Sequence, residues 1–194
     1  MSLTARLQLQ WLKLLGRVAL TLGQREDALR YFEAMSALDA GHPYALASRA
    51  QVEDQLGRSA RAIALQRELT QCTPTQASAW FNLGFMLEKA GDLDGALAAF
   101  REATRLSPTL DRAWYGLGLV LIRLRRFDEA VEALRKNTER QPMSPYGWYQ
   151  LARVHVDRQE PDEAAKIIRH LKGFEPKVAA QLERETGLRS APSA

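Results

Sequence analysis

The sequence predicts an all-α chain of stacked helical hairpins, and three observations carry that reading. Shifting the 194-residue chain against itself by 34 positions brings five blocks into register without an insertion: 9–42, 43–76, 77–110, 111–144 and 145–178. Small residues then recur at two fixed phases. The twentieth place of each block is Ala28, Ala62, Ala96, Ala130 and Ala164, and the eighth is Gly16, Ala50, Gly84, Gly118 and Ala152. Between these points apolar residues follow helical spacing, which places them on one face of a helix rather than on alternate faces of a strand.

The third block shows each element in turn. Trp80, Leu83, Met86 and Leu87 form one apolar stripe, and Leu93, Ala96, Leu97 and Phe100 form the facing one. Gly91 is placed to take the left-handed conformation that ends the first helix. Asp92 or Asp94 can cap the second helix, and the sequence leaves both open. Pro74, Pro108, Pro142 and Pro176 share the thirty-second place, where a missing N–H stops the second helix before the next block. The first block has Ala40 there, followed by Gly41 and Pro43. Small residues at places eight and twenty are expected where the two helices of a hairpin cross closely, because only a hydrogen or a methyl fits at the contact. Residues 1–8 read as an extension of the first helix, 179–188 as a helix closing the last hairpin, and 189–194 as a disordered tail.

Composition bounds the rest. Hydrophobic residues make up 46% of the chain and charged residues 26%, enough apolar material for a substantial core. The net charge of +4 is too small to name a partner. A single cysteine excludes an internal disulfide framework, so a reducing cytoplasm is the expected location. Arg6, Lys13 and Arg17 interrupt the leucine-rich amino terminus, which therefore reads as a helix and not as a signal peptide. No apolar stretch reaches the length that spans a bilayer, so no membrane association is expected.

A 34-residue helix-turn-helix with Trp80, Leu83, Gly84, Ala96, Phe100 and Pro108 resembles the tetratricopeptide repeat family. Trp114, Leu117, Gly118, Ala130, Leu134 and Pro142 carry the same pattern, as do Trp148, Leu151, Ala164, Ile168 and Pro176. The resemblance implies a right-handed alpha-alpha superhelix whose hairpins bury their apolar faces against one another. The departures are local. Ala19, Glu53, Leu87, Leu121 and His155 stand where the family has tyrosine, and Arg125 and Gln159 replace the turn glycine.

In proteins of that family the first helices line a concave groove. Carried over place by place, the resemblance assigns the groove Lys13, Arg17 and Thr21, then Tyr44, Ser48, Gln51, Asp54 and Gln55. Next come Phe81, Asn82, Phe85, Glu88 and Lys89, followed by Arg112, Tyr115, Leu119 and Arg123. Tyr146, Tyr149, Gln150, Arg153 and Asp157 complete it. Aromatics and arginines concentrate in the carboxyl half, and these types suit a peptide groove. The other reading is that Phe81, Phe85 and Tyr115 only pack along neighbouring first helices. The carboxylate clamp of the family's co-chaperones is broken here: Asn82 and Arg112 fill two of its slots, while Ala47, Gln51 and Gly116 stand in the other three.

The second block departs furthest, with Arg49, Glu53 and Gln66 at places that are normally apolar. Arg49 and Glu53 are four apart and can pair, which reads as a partly exposed pair in a loosely packed repeat or as a flexible joint. No catalytic constellation assembles. His42, His155 and His170 fall at unrelated places, without cysteines or paired carboxylates at metal-ligand spacing. His155 reads as a core or half-buried histidine and Cys72 as a small hydrophobe. The chain is therefore expected to be non-catalytic, without cofactor or metal. The expected role is an adaptor or scaffold that takes a peptide or helix of another protein in its groove, as a monomer or weak homo-oligomer. Two alternatives stand beside it. One is a scaffold that self-associates through an exposed end; the other is a helical repeat that reads single-stranded RNA, although no basic stripe supports nucleic-acid binding.

Overall fold

The computed structural model describes residues 3–188. Among the described residues there are eleven α-helices and no strand. They are α1 (Leu3–Thr21), α2 (Arg25–Leu38), α3 (Pro43–Gln55), α4 (Ser59–Cys72), α5 (Ala77–Ala90), α6 (Leu93–Leu106), α7 (Asp111–Arg123), α8 (Phe127–Arg140), α9 (Pro145–Asp157), α10 (Pro161–Lys172) and α11 (Pro176–Thr186). Each 34-residue block holds two helices joined by a short turn. The chain divides into two compact units, Met1–Asp92 and Leu93–Ala194. None of the described helices is long and apolar enough to cross a membrane.

In all five turns the same backbone device ends the first helix. The fifteenth place has positive φ at Gly23, Gly57, Gly91, Arg125 and Gln159. The next residue then donates its N–H back to the carbonyl of place eleven: Gln24 to Ala19, Arg58 to Glu53, Asp92 to Leu87, Arg126 to Leu121 and Glu160 to His155, all at 2.8–2.9 Å. The bond satisfies a carbonyl that the helix end would otherwise orphan. Arg125 and Gln159 adopt the left-handed conformation despite their side chains, with φ of 58° and 62°. Because α6 begins at Leu93, Asp92 occupies its capping position and Asp94 lies in its first turn.

Within the first unit, α1 packs on α2, α2 on α3, α3 on α4 and α4 on α5. Gly16 shows why the eighth place is small: a Cβ there would lie 2.4 Å from the ring of Phe32, the fully buried residue at place twenty-four of its own hairpin. Phe32 in turn meets Tyr44 edge to face, with ring centroids 6.0 Å apart. Burying a side chain of this kind contributes roughly 1.5–3 kcal/mol. In the second unit the device repeats at Gly118, where a Cβ would lie 2.8 Å from Leu134. Gly116 lies under Phe100, and Gly147 against Asn137 and Thr138. Where place twenty-four holds Phe32 or Leu134, place eight is glycine; where it holds Gln66 or Ile168, place eight is alanine.

The tryptophans at the fourth place act as ties between blocks. Trp80, Trp114 and Trp148 each donate the indole N–H to the carbonyl of the proline six residues upstream, Pro74, Pro108 and Pro142, at 2.8–2.9 Å. The proline ends one block's second helix, and its carbonyl anchors the next block's first helix.

Several sequence expectations are corrected. Glu53 is buried and pairs not with Arg49 but with Arg58 at 3.4 Å and Arg61 at 3.9 Å. Arg49 turns to the preceding hairpin, where Nη1 donates to Ser36 Oγ at 3.1 Å, and its buried Nε has no hydrogen-bond partner. The reason is sterics: the place-eleven carboxylate points at the turn, where Arg58 is already held by its own backbone bond. Gln66 is also buried, and its Nε2 donates to the carbonyl of Ala79 at 2.8 Å. Cys72 is exposed, because place thirty lies in the last turn of α4, at the rim of the hairpin. The closing helix runs from Pro176 to Thr186 and ends on Gly187 with φ of 73°, not over 179–188. The expected disordered tail at 189–194 lies outside the described residues.

Candidate functional site

Four candidate side chains of the second unit converge on one cavity. Tyr115 comes from α7, and Tyr146, Tyr149 and Gln150 come from α9, spaced so that successive turns of that helix face the same way. With Pro145 they line a space of about 500 Å³ that is closed on its other side by Glu175, Val178 and Gln181. These last three belong to α11 and the turn before it, which packs against both α9 and α10. An adjoining cavity of about 370 Å³ shares Tyr115 and Tyr146 and adds Arg112, Asp111, Asn137, Gln141 and Ser144. Leu119 is half-buried and Arg123 exposed, and neither lines either cavity.

The cavity is mixed in chemistry. Tyr115 is half-buried and hydrogen-bonded to Gln150, and burial holds its phenol above the ordinary value of 10.0. Tyr146 is 70% exposed and stands open at the edge. Tyr149 is already engaged: its hydroxyl donates to Glu185 Oε2 at 2.6 Å. Arg153 Nη1 donates to the same oxygen at 3.2 Å and to the Tyr149 hydroxyl at 3.3 Å, while Gln181 Nε2 donates to Glu185 Oε1 at 2.8 Å. The Tyr149 hydroxyl, then Gln181, then the Arg153 guanidinium hold the Glu185 carboxyl below its ordinary value of 4.5. Tyr149 and Arg153 thus fasten α11, and Tyr149 also lines the cavity.

In the first unit the candidates are engaged with near neighbours or spread over the surface. Lys13 Nζ sits 4.2 Å from the centroid of the Tyr44 ring, a cation–π contact. Lys89 Nζ pairs with Asp54 at 2.8 Å, across two successive first helices. Arg17, Gln51, Asn82 and Phe85 are exposed, and Phe81 is half-buried. Sequence reasoning did not assign Glu175, Val178, Gln181 or Glu185 to the site. The available signal was the spacing of Ala179 and Leu182, whose burial turns the adjacent face of α11, with Val178, Gln181 and Glu185, toward the tyrosines. Among the described residues, no group of three or more histidine, cysteine or acidic side chains could hold a metal ion.

Solved structures share this architecture. A crystal structure of MamA protein is 21% identical, covering 95% of this chain and 98% of that one with a TM-score of 0.82. MamA from Desulfovibrio magneticus RS-1, from residue 41 to its end, is 22% identical over 93% of this chain and 98% of its own, with a TM-score of 0.78. YrrB, described as a tetratricopeptide protein with an unusual peptide-binding site, is 17% identical over 87% of this chain and 88% of its own, with a TM-score of 0.76. At these identities the likeness establishes the fold. Curated protein sequences gave no significant match. The sequence profile of the tetratricopeptide repeat matches residues 13–77, 74–111, 87–138 and 115–176. With the profile running through nearly every turn of the repeating hairpins, the chain belongs to the tetratricopeptide repeat family.

Proposed function

We propose that this protein is a non-catalytic interaction scaffold, and that its second unit takes a peptide or helix of a partner protein against Tyr115, Tyr146, Tyr149 and Gln150. The observation that carries the reading is the cavity of about 500 Å³ that these four side chains share with α11. Its size suits one large apolar or aromatic side chain of the guest. Tyrosines offer rigid contact area at low entropic cost, and Gln150 and the phenols supply hydrogen bonds that orient a backbone. The exposed Tyr146 provides an anchor that ordered protein does not yet cover. The description of YrrB as carrying a peptide-binding site is consistent with this use of the fold.

Selection of a displayed peptide library on the full chain tests the reading. The selected peptides should share an apolar or aromatic anchor and lose at least roughly tenfold in affinity for Tyr146→Ala, in line with truncation of an interface aromatic. The circular dichroism spectrum of that variant should match the parent. Peptides that bind Tyr146→Ala as tightly as the parent would remove the groove assignment. Tyr149→Ala is the poorer probe, since it also releases Glu185 and with it the hold on α11.

A further inference from the structure

Helix α1 presents to solvent an apolar face whose third and tenth places are largely buried in the other first helices. At the third place Trp11 is 60% exposed, whereas Ala45, Ala79 and Ala113 are sealed. At the tenth, Val18 is 46% exposed, whereas Val52, Val120 and Val154 are sealed. In those helices the face is covered by the second helix of the preceding block, as α2 covers α3 and α8 covers α9. On α1 the face is longer and richer: Leu3, Leu7, Trp11, Leu14, Val18 and Leu22 are all exposed. At 3.6 residues per turn these six positions lie within about 100° of arc, opposite the buried Leu9, Gly16 and Ala19. Leu38 of α2 extends the patch, and Trp11 and Leu38 flank a cavity of about 350 Å³.

The spacing names the occupant. Successive members of the stripe are four, four, three, four and four residues apart, a pattern that reads the same from either end. A second α1 laid antiparallel across a twofold axis therefore meets it with matching side chains along its whole length. The area agrees: the exposed parts of these side chains amount to on the order of 700 Å² per copy, close to the roughly 800 Å² per partner of a standard interface. A patch of that size on a single copy marks an association surface. The bulk of Trp11, where other blocks carry alanine or glycine, keeps out a helix approaching as closely as α2 approaches α3, and its ring needs a pocket such as the one beside Leu38.

We propose that α1 is a self-complementary interface on which a second copy of this chain docks antiparallel, so that Leu3, Leu7 and Trp11 of one copy lie against Leu22, Val18 and Leu14 of the other. The pairing is isologous and closes at a dimer. Helix α1 has no acidic residue, and Arg6, Lys13 and Arg17 line one flank of its stripe. A twofold axis brings that flank against its own copy. The contact is therefore apolar at its centre and like-charged at its edge, so added salt strengthens it. An acidic helix or an anionic lipid surface on the same face would instead be weakened by salt.

Sedimentation of the full chain over a dilution series, at low and high salt, tests the proposal. A dimer whose affinity holds or rises with salt is expected. Val18→Glu should lower that affinity at least roughly 100-fold, since each dimer would bury two unpaired carboxylates, and should leave the helical spectrum unchanged. Leu7→Glu and Val18→Lys should each be monomeric alone and dimeric when mixed, because the antiparallel register sets residue 7 against residue 18 of the second copy. A parent chain that stays monomeric throughout overturns the proposal, as does a Val18→Glu dimer of parental affinity or a mixture that fails to pair. A monomeric parent that co-floats with phosphatidylglycerol vesicles overturns it in favour of lipid. Tyr146→Ala should leave the dimer unaffected, so failure here and failure of the groove reading are separate results.

Discussion

The second and fifth blocks place opposite chemistries in the same slot. The eleventh place is Glu53 in one and His155 in the other, 4% and 3% exposed. Each is met by the sixteenth place of its own turn. Arg58 pairs with Glu53 at 3.4 Å, and Glu160 Oε2 lies 2.7 Å from His155 Nδ1. The polarity is reversed and the geometry kept, because the backbone bond from place sixteen to place eleven brings the two side chains together whatever they are. Each turn residue is tied further to the neighbouring hairpin: Arg58 to Glu26 at 2.6 Å, and Glu160 through Arg158 to Asp128. Burial at this position is thus set by the repeat, and the turn determines which polar group can tolerate it.

The comparison can be broken at its stronger end first. Arg58→Ala strands a buried carboxylate with only the distant Arg61, and should give the largest fall in urea midpoint among these variants. Glu53→Leu should be neutral or stabilising and should cancel most of the Arg58→Ala loss in the double variant. Additive losses would show that Arg58 acts elsewhere. Glu160→Ala should cost less, about 1–3 kcal/mol, because it leaves a hydrogen-bonding nitrogen of His155 without its acceptor. Equal losses in the two blocks would contradict the ranking.

The turn itself offers a smaller test. Arg125→Gly and Gln159→Gly should each stabilise by about 0.5 kcal/mol, since relief of left-handed backbone strain exceeds the added freedom of glycine in the unfolded chain. Gly57→Ala should destabilise by about 1 kcal/mol at the matching place.

The smallest effect is expected at Glu185, an exposed counterpart of the buried pairs. Its carboxyl is held below 4.5, first by the Tyr149 hydroxyl, so its contribution is complete above pH 4.5 and fades as pH falls through the lowered value. Hydrogen exchange of α11 should separate Glu185→Gln from the parent at neutral pH, with the two converging in acid. A difference that persists in acid would assign the effect to something other than this charge.

Much of the fold could be read from phase alone. Ala28 and its four equivalents, together with the small eighth places, located every hairpin, because close helix crossings tolerate no substitute. The tyrosine cluster was also visible as Tyr115, Tyr146 and Tyr149 at groove-facing places. What escaped was pairing. Arg49 and Glu53 satisfied the helical spacing rule yet took partners in Ser36 and Arg58, since a side chain on a packed helix answers to its neighbours before its own turn. The tryptophan bonds to Pro74, Pro108 and Pro142 escaped as well, because they depend on the path of the chain between blocks.

By itself the sequence determined the period, the turns and the buried stripes, all of which are local or repeat at a fixed interval. Tertiary structure alone decided that α11 folds back so that Glu185 reaches Tyr149, 36 residues away, and that the outer face of α1 is left uncovered. Periodicity specifies which way a side chain points along its own helix; what it meets there depends on how helices cross, and crossing angles are a property of the packed pair rather than of either strand of text.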